Sequence, residues 1–125
     1  MTRLPKKALL TLSALTLAMS ASFSVIAEPM KSVAVTAIVE HPALDAVRDG
    51  VRNALNEAGY TEGENLKWQY QSAQGNTGTA AQIARKFIGD QADAIVAIGT
   101  PSAQAAVAGT KRIPIIFSAV TDPVE

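Results

Sequence analysis

The chain has 125 residues, with 11 Lys+Arg, 11 Asp+Glu, one His and no Cys. Without cysteine there is no disulfide framework, no Cys-ligated zinc or iron–sulfur centre and no thiol nucleophile, and a single imidazole excludes any site built on several histidines. Arg3, Lys6 and Lys7 are the only charged side chains before residue 28, so the remaining 98 residues hold 8 basic and 11 acidic side chains, a net −3 that offers no footprint for nucleic acid.

Residues 1–27 read as a secretory signal peptide. The short positive start is followed by an apolar run over 8–19, and the segment closes on Val25-Ile26-Ala27, with small residues at −3 and −1 of a cut before Glu28. A membrane anchor would want about 20 predominantly apolar residues, a length reached here only by counting Ser20, Ser22 and Ser24. No cysteine follows the cut, so lipid attachment there is chemically impossible. The expectation is a periplasmic protein running from residue 28 to 125.

Residues 32–39 are short, β-branched and almost wholly apolar, the pattern of a central strand covered on both faces. Pro42 opens a helix at the position where its missing N–H costs nothing. Leu44, Val47, Val51, Leu55 and Ala58 make its apolar stripe, and Gly59 supplies the left-handed residue that closes the last turn. Residues 65–71 alternate, with Leu66, Trp68 and Tyr70 on one face, as an edge strand does; Trp68 and Tyr70 are expected to pack in the core. After a polar turn, Ala80, Ile83, Ala84, Phe87 and Ile88 mark a second helix, with Thr79 and Gln82 as its capping box and Gly89 as its stop. A third strand spans 94–98, a short Ala-rich helix 103–108, and a fourth strand 113–120.

This alternation predicts an α/β fold: a parallel sheet with helices on both faces, built from right-handed βαβ units. The edge character of the second strand gives the partial order 2-1-3-4. The winding reverses between strands one and three, where loops at the carboxyl ends diverge and leave the usual ligand crevice. The chain reads as incomplete, because its last strand lacks a neighbour and a covering helix.

Three loops leave the carboxyl ends of central strands and carry the candidate site residues: Glu40, His41 and Pro42; Thr100 and Ser102; Thr121 and Asp122. Thr100 and Ser102 stand at a helix start whose free N–H groups can hold a carboxylate or phosphate; alternatively one hydroxyl simply caps the helix. His41 is a ligand contact or a solvated loop residue, with no nucleophile signalled beside it. Asp122 is a counter-charge for a ligand ammonium or an ordinary turn starter. No nucleophile elbow, zinc-binding helix or phosphate loop occurs, and the first strand-to-helix turn lacks the glycines of a dinucleotide fingerprint. No enzyme activity, cofactor or metal is therefore expected.

Four runs, 38–45, 70–75, 99–105 and 119–124, resemble in order the family of ABC-transporter substrate-binding proteins that includes tryptophan- and phenylalanine-binding members. The resemblance covers residues 33–125. It implies the type I periplasmic-binding-protein fold, in which a ligand closes between two α/β lobes, with residues 28–125 an incomplete N-terminal lobe. It also implies a small-molecule ligand, an amino acid, contacted at Glu40, His41, Pro42, Thr100, Ser102, Thr121 and Asp122, and an ABC permease as membrane partner. A ligand sensor of the same fold, feeding a signalling protein, is the alternative.

Overall fold

The computed structural model describes residues 29–121. The signal-peptide reading of residues 1–27 and the assignment of Asp122 fall outside them.

Seven elements alternate along the chain: β1 (Lys31–Ala37), α1 (Pro42–Glu57), β2 (Leu66–Ser72), α2 (Thr77–Gly89), β3 (Ala94–Ile98), α3 (Thr100–Gly109) and β4 (Ile115–Ser118). The four strands form one sheet in the order β2-β1-β3-β4, and every adjacent pair is parallel. The sheet order and the reversal between β1 and β3 are those expected from the sequence.

Strand alternation divides the core into two layers. Val33, Val35 and Ala37 of β1 join Leu66, Val96 and Ile98 on the face that meets the Leu44, Val47, Val51 and Leu55 stripe of α1. Trp68 and Tyr70 pack half-buried against that layer, with the Arg52 and Arg48 guanidinium groups 5.8 and 4.8 Å from their ring centres. On the opposite face Ala34, Ile95 and Ala97 lie under Ala80, Ile83 and Phe87 of α2 and Ala103 and Ala106 of α3. Small residues on the strands let these helices approach closely, and Phe87, 1% exposed, supplies the largest buried side chain there.

Three local expectations are corrected. Helix α2 starts before the Thr79–Gln82 pair: Asn76 is the N-cap, its Oδ1 accepting the Thr79 N–H at 2.9 Å. Helix α3 begins at Thr100 rather than 103, because Gly99 takes the N-cap in a left-handed conformation (φ +98). A side chain there would also collide with Ile38, since a Cβ would lie 2.6 Å from its Cγ2. Strand β4 covers only Ile115–Ser118 of the expected 113–120, because Ala119 turns left-handed (φ +55) and ends the ladder. Its outer edge has no neighbour among the described residues, and Ile116 and Phe117 are 48% and 49% exposed.

Candidate functional site at the carboxyl ends of the strands

The loops that follow the strands are stitched into a rim by successive hydrogen bonds. The Ala73 N–H donates to the Ala37 carbonyl at 2.9 Å, and the Gly75 N–H to the Ile38 carbonyl at 2.6 Å. The Ile38 N–H donates to the Ile98 carbonyl at 3.0 Å, and the Gly99 N–H to the Ser118 carbonyl at 2.9 Å. The last link is made by a side chain: Thr100 Oγ1 accepts the Thr121 N–H at 3.0 Å. Each loop is therefore fixed to the loop of the adjacent strand, and the rim spans all four strand ends.

The Thr121 bond decides how Thr100 can act. Neither Thr100 nor Ser102 caps α3, whose N-cap is Gly99 and which has no side-chain capping bond. The Thr100 oxygen spends one lone pair on Thr121, which leaves its own O–H as a donor. The first turn of α3 also presents N–H groups with no carbonyl four residues back and a partial positive charge; Pro101 contributes none. Ser102 is enclosed, at 1% exposure, and its Oγ has no hydrogen-bond partner among the described residues. The β3–α3 loop is thus a cluster of donors suited to an acceptor such as a carboxylate.

At the end of β1, Glu40, His41 and Pro42 are exposed. His41 is the N-cap of α1, and its Nδ1 accepts the Ala43 N–H at 3.2 Å. That bond places the imidazole proton on Nε2 and leaves a second donor at the rim. Pro42 is the first residue of α1, as its fixed φ favours. Among the described candidates, the contact between loops is that of Thr100 with Thr121; Glu40, His41 and Pro42 follow β1, the strand next to β3. The rim also includes a segment not picked out as site from the sequence, the β2–α2 turn with Gln74 and Gly75.

A hydrogen bond to Asp49 raises the Arg48 pKa on α1, and a hydrogen bond from Lys86 lowers that of Asp90 at the end of α2. Among the described residues no cluster of three His, Asp or Glu side chains could hold a metal, and no helix is long and apolar enough to cross a membrane. A shallow depression of about 470 Å³, lined by Ile88, Gln91, Asp93, Thr110, Arg112 and Ile113, lies at the opposite, amino end of the sheet.

Comparison with known proteins places this rim in context. A family model described as ABC transporter substrate binding protein matches residues 32–125. The chain is 50% identical over 95 residues to a tyrosine-binding protein of Clostridioides difficile, a match covering 76% of this chain and 28% of that protein. Among solved structures it resembles the ligand-free, open form of a substrate binding protein with adhesive properties from Clostridium difficile (50% identity, TM-score 0.74). It also resembles a conserved domain protein from Vibrio cholerae (57% identity, TM-score 0.74). A third likeness is to an ABC domain in complex with L-Trp from Streptococcus pneumonia (30% identity, TM-score 0.71). Each structural match covers 76% of this chain and 32% of the other, so the chain spans about a third of the length of these relatives. The parallel sheet and its flanking helices correspond to part of one lobe of such a protein. With the family match running over 32–125, the chain belongs to the ABC transporter substrate-binding proteins.

Proposed function

We propose that the protein is the solute-binding component of an ABC import system, working in the periplasm and delivering an amino acid to a membrane permease. The observation that carries this is the donor cluster at the β3–α3 loop, placed at the switch point of a chain 50% identical to a tyrosine-binding protein. Thr100 Oγ1–H and the α3 N-terminus hold the ligand carboxylate, with the buried Ser102 hydroxyl as a further unspent donor. His41 and Glu40 border the ligand from the β1 end, and Thr121 and Asp122 from the β4 end, Asp122 as counter-charge to the ammonium. The L-Trp complex of a relative makes aromatic amino acids the first ligands to test. The rim forms one wall; a ligand that also contacts a facing wall stabilises the closed form by its differential affinity for it. Export through cleavage before Glu28 puts the protein where such a solute arrives.

The test is calorimetric titration of the full-length gene product with L-tyrosine, L-phenylalanine and L-tryptophan. Saturable binding of at least one supports the assignment, and no heat with any of them removes the aromatic ligand. Intact-mass analysis of the periplasmic fraction checks export: retention of residues 1–27 would overturn it.

A further inference from the structure

Gln74 follows β2 with its backbone in the left-handed region, at φ +52, a conformation that every residue but glycine enters at a cost. Its surroundings impose it. Buried Ala73 on one side donates to the Ala37 carbonyl, and Gly75 on the other donates to the Ile38 carbonyl. The Gln74 N–H itself donates to Ser72 Oγ at 3.1 Å. A glycine would follow the same path without strain. The side chain returns nothing to the fold, for it is exposed and its carboxamide makes no hydrogen bond among the described residues. A strained residue on a binding rim whose side chain serves no internal contact points to a role outside the fold.

Its place on the rim indicates which role. Gln74 stands over the end of β2 and Thr100 over the end of β3, with β1 between them. Two strand spacings separate them by about 10 Å. With a ligand carboxylate held at Thr100, the ligand's own side chain, and not its ammonium, is long enough to reach Gln74. We propose that Gln74 is a specificity-determining residue of the crevice, its carboxamide hydrogen-bonding a hydroxyl on the side chain of a bound aromatic amino acid. A carboxamide both donates and accepts, so it pairs with a phenol in either direction. This rests on the reading of Thr100 as carboxylate donor given above.

Calorimetric titration of the full-length product with L-tyrosine and L-phenylalanine tests it. Gln74→Met keeps the Cβ and the chain length but removes the amide. Tyrosine should bind about 3- to 10-fold more weakly, as loss of one neutral hydrogen bond implies, and phenylalanine should change by less than about twofold. Gln74→Gly should show the same selective loss together with a raised Tm, because the left-handed strain is relieved. Gln91→Gly is the control: Gln91 has the same residue type and nearly the same backbone (φ +56) at the amino end of the sheet. Its replacement should raise Tm and leave both affinities unchanged. Intact tyrosine affinity in Gln74→Met, or equal losses for both amino acids, would overturn the assignment of Gln74 alone. Failure of the unsubstituted protein to bind either would overturn this inference, and failure with L-tryptophan as well would remove the aromatic ligand on which it rests.

Discussion

Replacing Thr100 with Val separates a binding hydroxyl from a structural one. The substitution keeps the β-branched shape and removes two things at once: the acceptor for the Thr121 N–H, 3.0 Å away, and the O–H that we propose donates to the ligand. The first bond is neutral and exposed, so its loss costs about 0.5–1 kcal/mol of stability. No helix cap is lost, since Gly99 and not Thr100 is the N-cap of α3. The second bond, made to a carboxylate, is charge-assisted and contributes about 1.5–3 kcal/mol, so the affinity of the full-length product should fall about 10- to 100-fold. Thr100→Ser retains both functions and should stay close to the unsubstituted protein. Titration calorimetry gives the affinities, and thermal unfolding of the same samples gives the stabilities. Unchanged affinity with a lowered Tm would mean that Thr100 only ties α3 to the segment after β4, and the carboxylate assignment would be refuted.

Gly99→Ala combines a positive φ with a Cβ 2.6 Å from Ile38 Cγ2, and should destabilise the protein by about 2–5 kcal/mol in denaturant melts; a loss below 1 kcal/mol would show that the loop relaxes freely. The Asp90 carboxyl is held below its usual pKa by the hydrogen bond from Lys86, 2.8 Å away, so Lys86→Met should return it to the ordinary aspartate range in an NMR titration. A depressed carboxyl contributes stability that is present above its unfolded-state pKa and lost as pH falls through the folded value. The unsubstituted protein should therefore lose slightly more stability than the variant on acidification to below the aspartate range; equal acid sensitivity would count against the pair. Residues 28–125 produced alone should self-associate through the open β4 edge, where Ile116 and Phe117 are exposed, and Phe117→Lys should raise the monomer fraction in sedimentation velocity. A monomeric, cooperatively unfolding 28–125 would show that the edge is harmless.

The elements legible in the sequence were those with a two-sided signal. β3 has the bounds that its sequence predicts, Ala94–Ile98, because an unbroken apolar run lies between Asp93 and Gly99. α1 was legible because Pro42 starts it and Gly59 follows its end, with a regular stripe between. The misplaced boundaries depend on contacts distant in sequence or on backbone conformations that composition does not announce. Asn76 was hidden as a cap by the Thr77-Gly78 pair after it, which reads as a continuing turn. The sequence predicts a late start for α3 because Gly-Thr-Pro-Ser resembles a loop, whereas Gly99 enters a left-handed conformation that admits the helix one residue later. Ala119 ends β4 by turning left-handed, which alanine rarely does and no pattern marks.

For the site, strand ends and winding order were enough to place the loops on one rim, but not to assign the work of each side chain. Thr100 and Ser102 looked equivalent in sequence. The structure separates them by environment: one hydroxyl is bonded to a residue 21 positions away, the other is enclosed with no partner among the described residues. That difference depends on where β4 ends, the least legible boundary of all. Gln74 lies in the family-resembling run 70–75, but its own residue type carries only a turn signal, since Gln-Gly after a strand predicts a reversal and says nothing about which residue bears the positive φ.

The stitched rim bears on how binding would be divided between the walls of the crevice. Four backbone bonds and one side-chain bond tie the ends of β2, β1, β3 and β4 together, and the loops they join are short. The donors of the β3–α3 loop are held before any ligand arrives, so little ordering cost remains to be met on this side. A wall fixed in this way cannot itself close over a solute without breaking its own bonds. On the proposed function, selection between an open and a closed state would come from the movement of a facing wall toward it, with the carboxylate anchored first and the far end of the ligand read by whichever side chains overhang the rim. On that division, substitutions at Thr100 should weaken every amino acid alike, whereas substitutions at Gln74 should change which one is preferred. A Thr100→Val variant that altered the ratio of tyrosine to phenylalanine affinity as much as Gln74→Met does would show that the two roles are not separate.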